Sequence, residues 1–475
     1  MAKTRTLLLA LALLAAPAIH AQSPRARMPD FDAAQDEAVR ILQEVIRIDT
    51  SNPPGSETKV AQYIKGVLDK EGIPSEILEL EPGRGNLVAR IKGNGSRRPV
   101  LIMGHTDVVG VERDKWTLDP FAATIKDGMV WGRGAIDDKD TVSAGLMAFL
   151  LIHRMKVPLD RDVIYLAEAG EEGSSQLGIG FMVDEHFDKI DAEFALAEGG
   201  LTVTEGGKVK YVGVATTEKV GRGVRLVARG VSGHASRPRL DNAIVHLSAA
   251  VAKLGGWLPP MRLNETTRAF FQTLAKVSPP DEAFVYTHLE DPTMGLMAQE
   301  LLRGTNVNYS SMLRTSISPT IVKGGFRGNV IPAEAEATLD IRALPDEDMD
   351  AFVDQMRRIV DDPAVEIVRN AGGRPAPPAS GLDTEMFAAL ARAQAAAFPG
   401  AQTMPMMLTA ATDNAQLRAK GVQAYGIGGP APVDDTGMHG NDEKISVEGV
   451  GDFVELIYRA VVDVAAAGGA AAGAR

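Results

Sequence analysis

Val100-Leu101-Ile102-Met103-Gly104-His105-Thr106-Asp107 is the stretch on which the reading of this 475-residue chain turns. Four consecutive large apolar residues leave no polar face, so residues 99–104 read as a strand buried on both sides of an α/β sheet. The strand ends on histidine and aspartate, at the carboxyl edge where open α/β sheets hold their ligands. Residues 86–92, 163–167 and 194–197 read as further strands, and the last ends at Glu198. Helical faces alternate with them: Val39, Leu42, Val45 and Ile46, then Val60, Ile64, Val67 and Leu68, then a helix over 141–155. This alternation predicts a three-layer α/β domain with a mixed, mostly parallel sheet.

Near residue 218 the pattern changes. Val224, Leu226 and Ala228 alternate with Arg225, Val227 and Arg229, and Ala335, Ala337, Leu339 and Ile341 alternate with Glu336, Thr338, Asp340 and Arg342. Between and after them come a helix with Ile244, Leu247, Val251 and Leu254 on one face, a helix with Met349, Phe352, Met356 and Ile359, and a strand at 365–368. Period-2 strands with one polar face predict a smaller α+β domain, an open sheet covered by helices on one side. It spans 218–374 and closes at Gly372-Gly373-Arg374-Pro375-Ala376-Pro377-Pro378, a linker composition. The larger domain is therefore discontinuous, 22–217 and 375–464, and 465–475 is an Ala/Gly tail.

Composition narrows the chemistry. With 50 Lys+Arg against 62 Asp+Glu the net charge is −12, which argues against nucleic-acid partners. There is no cysteine, so disulfides, thiolate metal sites and thiol nucleophiles are excluded, and any metal must be held by histidine and carboxylate. Lys3 and Arg5 precede an apolar run from Leu7 to Ala16, followed by Pro17 and Ala21. This is the pattern of a signal peptide over 1–21, shorter than the ~20 apolar residues of a membrane span. An exported protein, periplasmic or secreted, with no stable membrane anchor is expected.

Motifs cluster where the strands end: His105-Thr106-Asp107, then Gly132-Arg133-Gly134-Ala135-Ile136-Asp137-Asp138-Lys139, then Glu171-Glu172-Gly173, and Glu198. Each alone is ordinary, since Asp-Asp-Lys suits any helix start. Their joint placement on one sheet edge points to a metal centre, and His439, in a Gly-rich polar loop, is the remaining histidine candidate. His20, His153, His186, His246 and His288 have no companion ligands in sequence, and Trp116 and Trp131 read as packing.

These motifs, together with Gly233-His234-Ala235-Ser236, Asn242-Ala243-Ile244, Asn329-Val330-Ile331-Pro332 and Asp340-Ile341-Arg342, occur in the order of a known family. Nearly the whole chain past the leader resembles the zinc-dependent aminoacylase/carboxypeptidase G/succinyl-diaminopimelate desuccinylase family. The Gly-Arg-Gly-Ala-Ile-Asp-Asp-Lys run, with polar Asp140 after it, is similar to its carboxypeptidase S-like branch. The resemblance implies two Zn²⁺ per chain, with Co²⁺ a substitute, held by His105, Asp137, Glu172, Glu198 and His439, with Asp137 bridging. It assigns Asp107 to orienting the His105 imidazole, Glu171 to general base, and His234 to the developing oxyanion. Asn329 and Arg342 match substrate-contacting positions. A cis peptide between Asp137 and Asp138, and a ferredoxin-like inserted domain acting as lid and homodimer interface, are further implications.

Glu198 resembles the carboxypeptidase and acylase branch, where the dipeptidase branch has aspartate. The expected activity is hydrolysis of a peptide or N-acyl amino acid to release a C-terminal amino acid. Two alternatives remain open at this point: a dipeptidase or deacylase of the same family, and a non-catalytic periplasmic small-ligand binding protein. The binder has no need for a base beside a metal ligand, nor for five convergent ligands, and would be indifferent to mutation of Glu171.

Overall fold

The computed structural model describes residues 28–432 and 437–468, so the leader expected at 1–21, residues 433–436 and the end of the tail lie outside the described residues. Among the described residues the main sheet has ten strands. Four central ones, Val163–Glu168, Val100–His105, Phe194–Ala197 and Gln423–Gly426, lie side by side and parallel. Antiparallel strands flank them, including Gly85–Ile91 on one side and the long strand Lys208–Glu218 on the other.

Alternation along the buried strands feeds two separate cores. Val100, Ile102, Val163 and Tyr165 face the helices Phe31–Arg47, Lys139–Arg154, Glu385–Ala397 and Val447–Ala465. Leu101, Met103, Ile164 and Leu166 face Ile179, Phe181, Met182 and Leu417 on the other side. This is the three-layer arrangement the continuous apolar runs predict. The helix Lys139–Arg154 carries fourteen buried residues from Lys139 to Ile152, which explains its weak amphipathic pattern.

The second domain is an antiparallel sheet with the order Val365–Arg369, Val224–Arg229, Glu334–Ala343 and Ser316–Gly324. With the helices Ala243–Gly256 and Met349–Val360 in their chain positions, this is the ferredoxin-like order 4-1-3-2. Val224, Leu226, Ala337, Leu339 and Ile341 form its core with Leu247, Leu254, Phe352 and Met356. The first of those helices is turned relative to the expected face. Asn242 caps it by accepting the N–H of Ile244, and the buried stripe runs through Ala243, Leu247, Ala250 and Leu254, while Ile244 is 40% exposed.

Within 218–374 the packing is divided. Four helices between Glu265 and Ser311 contribute Phe270, Phe271, Leu274, Leu302 and the part-buried Tyr286 and Tyr309 to a core shared with Val203, Tyr211, Met404 and Met406 of the main sheet. This helical segment therefore belongs by packing to the edge of the larger domain. Among the described residues no helix is long and apolar enough to cross a membrane.

Candidate metal centre and base

Parallel alignment makes the site. The strands ending at His105, Glu168 and Ala197 point their carboxyl ends one way, and the loops beyond them bring Glu171, Glu172 and Glu198 to the edge where His105 sits. Asp137 arrives from the loop before the helix Lys139–Arg154, and His439 from the loop before the short strand Lys444–Ser446. All five expected ligands meet. His105, Asp137 and Glu198 offer ligand atoms within 4.8 Å of one another, and so do Asp137, Glu172 and His439.

Asp137 is common to both groups and presents a different oxygen to each. Its Oδ1 lies 3.1 Å from His105 Nε2, and its Oδ2 lies 2.8 Å from His439 Nε2. Each imidazole has a further carboxylate of its own, Glu198 Oε2 at 3.9 Å from His105 Nε2 and Glu172 Oε1 at 2.9 Å from His439 Nε2. The donors, all nitrogen and oxygen, form two candidate cation groups that share one carboxylate.

The surrounding hydrogen bonds fix these side chains. His105 Nδ1 faces the Asp107 carbonyl at 3.0 Å and its carboxylate at 3.4 Å, which leaves Nε2 free for the site. The Asp107 carboxylate accepts the backbone N–H groups of Glu171 and Glu172, each at 3.1 Å, and the Asn52 amide at 2.8 Å. Its role is therefore wider than orienting one imidazole. Glu443, which the sequence reading did not single out, is fully buried and accepts from Gly134, Ile136 and Asp137 N–H and from Arg133 Nη1. It clamps the loop that delivers Asp137. Gly134 has φ +85°, and a Cβ there would meet Val108 at 2.7 Å, so the Gly-Arg-Gly motif is a backbone requirement. The Asp137–Asp138 peptide is cis, as the resemblance implies. Asp138 Oδ2 accepts the His105 N–H at 3.1 Å, and Lys139, fully buried, donates to the Val45 and Ile48 carbonyls.

Charge is crowded at this edge. Hydrogen bonds to the Asp137 and Glu172 carboxylates hold the His439 pKa up at about 10. Burial would lower that of His105, yet its bonds to Asp107 and Asp137 carry it well above the ordinary value. Burial pushes the Glu198 carboxyl far upward, with the nearby Glu171 charge adding to it. Carboxylates this close disfavour one another's ionisation, and divalent cations bound among them would neutralise the surplus charge directly.

Glu171 and Glu172 turn to different partners. Its Oε1 is 2.5 Å from Arg374 Nη2, while Glu172 reaches His439. Burial pushes the Glu171 carboxyl above its ordinary range, against the pull of His105 and Arg374. Arg374 also lies 2.8 Å from Asp413, which is almost completely buried. Sequence reasoning placed Arg374 in a linker and passed over Asp413. A single arginine inside Gly-Gly-Arg-Pro was the available signal.

The inserted domain's residues form two groups of their own. His234 and Asn329 are brought together, since Gly233–His234 pairs with Val330–Ile331 and Ala235 N–H donates to the Asn329 carbonyl. His234 is exposed, and its Nδ1 is 2.8 Å from the Ser236 hydroxyl. Arg342 sits opposite Gly221 and Ser316 at the junction of the domains, its Nε on Asp340 Oδ2 at 3.0 Å. Among the described residues no hydrogen bond or ion pair joins these three side chains to the metal-binding cluster.

The pattern of peptidase family M20/M25/M40 matches residues 101–463. The chain is 28% identical over 390 residues to probable carboxypeptidase S-like 2 of Dictyostelium discoideum, covering 79% of this chain and 74% of that protein. It is 26% identical over 450 residues to human N-fatty-acyl-amino acid synthase/hydrolase PM20D1, covering 90% and 87%. Its fold is similar to that of the M20 family metallo-carboxypeptidase Sso-CP2 from Sulfolobus solfataricus, with a TM-score of 0.68, 20% identity, and coverage of 90% and 98%.

Proposed function

The chain belongs to peptidase family M20/M25/M40 and is a metal-dependent hydrolase of amide bonds, and from that premise we propose an exported two-zinc enzyme that releases a C-terminal amino acid from peptides or N-acyl amino acids. The observation that carries the two-ion part is Asp137, whose two oxygens face His105 and His439 separately. In this reading His105, Asp137 and Glu198 hold one Zn²⁺, and Asp137, Glu172 and His439 the other. Bound there, the ions would polarise the scissile carbonyl and lower the pKa of water toward 7.

The chain's own groups supply the rest. Glu171 takes the proton released as water attacks the amide carbon, and hands it to the leaving nitrogen. Its carboxylate is free of the ligand role that Glu172 fills. His234, from the inserted domain, would donate to the carbonyl oxygen as it gains negative charge, from its own chain or a partner's. Arg342 and Asn329 would hold the substrate's terminal carboxylate.

The substrate class draws support from both curated relatives. A carboxypeptidase and an N-acyl-amino acid hydrolase share one substrate feature, an amide nitrogen belonging to an amino acid with a free carboxylate. Export rests on the charged start and apolar run at 1–21. A homodimer through the inserted domain is supported by exposed Val231, Leu240, Ile321, Val322 and Phe326 on that domain. The test is a panel of N-acyl amino acids and dipeptides blocked at either end, assayed with metal analysis on the same preparation. Release of free amino acid from N-blocked substrates, with two ions per active chain, is expected. Cleavage only of substrates with a free amino terminus would overturn the assignment in favour of a dipeptidase or aminopeptidase.

A further inference from the structure

The polypeptide first leaves the larger domain at 218–222 and finally returns to it at 370–380. The two passages are tied together: Arg222 donates to the Arg374 carbonyl at 3.0 Å, and Ser380 N–H to the Thr216 carbonyl at 2.8 Å. The outward passage is in turn fastened to the loop before helix Asn414–Ala419, since the Glu218 carboxylate accepts from Thr412 N–H and Oγ1 and from Arg418. Asp413, the next residue in that loop, is 1% exposed, and neither of its oxygens has a hydrogen-bond partner in this geometry. A buried carboxylate with no hydrogen bond is costly unless a cation stands beside it. The cation is Arg374, 2.8 Å from Asp413 Oδ1 through Nη1 and 2.5 Å from Glu171 Oε1 through Nη2.

We propose that Arg374 is a positioning residue for the reaction: clamped by Asp413, it fixes the rotamer of Glu171 and so aims the base. This rests on the reading of Glu171 as general base. Arg374 is the only side-chain partner Glu171 has among the described residues, and it occupies Oε1, so Oε2 is the oxygen left to accept a proton. The guanidinium stands beside both carboxylates at once, Nη2 donating to Glu171 and Nη1 in ion-pair contact with Asp413. Neither Arg374 nor Asp413 is among the ligand groups, so their effect should reach the reaction through Glu171 and not through the metals.

The experiment is a double-mutant cycle on the metal-loaded full chain, using Arg374→Gln, Glu171→Gln and the pair. Arg374→Gln should lower kcat roughly 10- to 100-fold, the scale expected for a misplaced catalytic group, with KM and metal content little changed. Arg374→Lys should recover part of that loss. In the Glu171→Gln background, Arg374→Gln should cost nothing further, because the group it positions is already gone. Additive losses, or a loss of bound metal that accounts for the drop in rate, would overturn the proposal. If Glu171→Gln itself turns over normally, the base assignment fails, which the cycle registers separately. Should Arg374→Gln not fold, Asp413→Asn releases the clamp from its other end and must show a smaller kcat loss with the same non-additivity.

Discussion

Asp107 Oδ1 accepts the backbone N–H of Glu171 at 3.1 Å, so the residue that contacts the His105 imidazole also holds the loop carrying the base. Its second oxygen does the same for Glu172. One buried carboxylate thus sets the spacing of His105, Glu171 and Glu172, the candidate ligands and the proposed proton acceptor. Asp107→Ala should therefore weaken metal binding and turnover together, by the 10- to 100-fold typical of groups that orient ligands. Metal titration alongside kcat checks this. Unchanged metal affinity would confine Asp107 to a packing role.

Glu171 and Glu172 are adjacent in sequence and turn to different partners. Glu172 Oε1 lies 2.9 Å from His439 Nε2, while Glu171 turns to Arg374. Glu171→Gln is expected to keep both metals and the fold while losing roughly 10²–10⁴ in kcat. Glu172→Gln should instead deplete one ion per chain. Metal analysis and single-turnover kinetics on the two variants distinguish them, and matching behaviour would remove the division of roles.

Much of this was legible in the sequence for a physical reason. The continuous apolar run Val100–Met103 excludes a wet face, and strand ends gather whatever polar residues follow them. His105, Glu172 and Glu198 could therefore be placed before any coordinates. Residues acting across long sequence distances were not visible in the same way. Glu443 serves N–H groups more than 300 positions earlier, and an isolated glutamate carries no periodic signal. Arg374 was hidden by its setting, because Gly and Pro neighbours mark a linker whether or not one side chain in it is buried. The helices between Glu265 and Ser311 have ordinary amphipathic faces, and a face does not say which sheet it will cover.

Chelation offers a test with a stability readout. The two ligand groups hold three carboxylates beside two histidines, and a cation that binds only the folded state stabilises it in proportion to its occupancy. Removing metal should abolish turnover and lower the thermal midpoint, and Zn²⁺ or Co²⁺ should restore both, at two ions per chain. Full activity with one ion or none would sink the two-metal proposal.

Lys219 gives a pH signature away from the metals. It is fully buried, with Nζ 3.1 Å from the Ser311 and Ser316 hydroxyls. Burial, then the Arg342 and Arg314 guanidiniums, push its ammonium down to about 7. An unfolded lysine titrates near ~10.4. Between those values the unfolded chain binds more protons, so folded stability should rise with pH from about 7 to 10, by up to ~1.4 kcal/mol per pH unit, and be flat below. Lys219→Met should remove that slope. Denaturant titrations at several pH values, wild type minus variant, measure it, and parallel curves would show that Lys219 keeps its proton in the folded state.

The last prediction concerns which end of the substrate is read. Arg342 lies at the domain junction, and its one side-chain partner, Asp340, engages only Nε. Both terminal nitrogens are thereby left without a protein partner among the described residues, which is the half of the fork a carboxylate binds bidentately. A site built around such a pair discriminates strongly against a substrate lacking the charge, because its polar groups would then be desolvated and unpaired. N-acyl or peptidyl amino acids with a free α-carboxylate should be hydrolysed, and the same compounds amidated should be hydrolysed poorly. Arg342→Lys should fail to rescue, since a point charge does not reproduce the planar fork. The effect should appear mainly in kcat/KM for the free acids, leaving the slow amides nearly unaffected. Equal rates for free-acid and amidated substrates would refute carboxylate anchoring at Arg342 and favour recognition from the amino-terminal side.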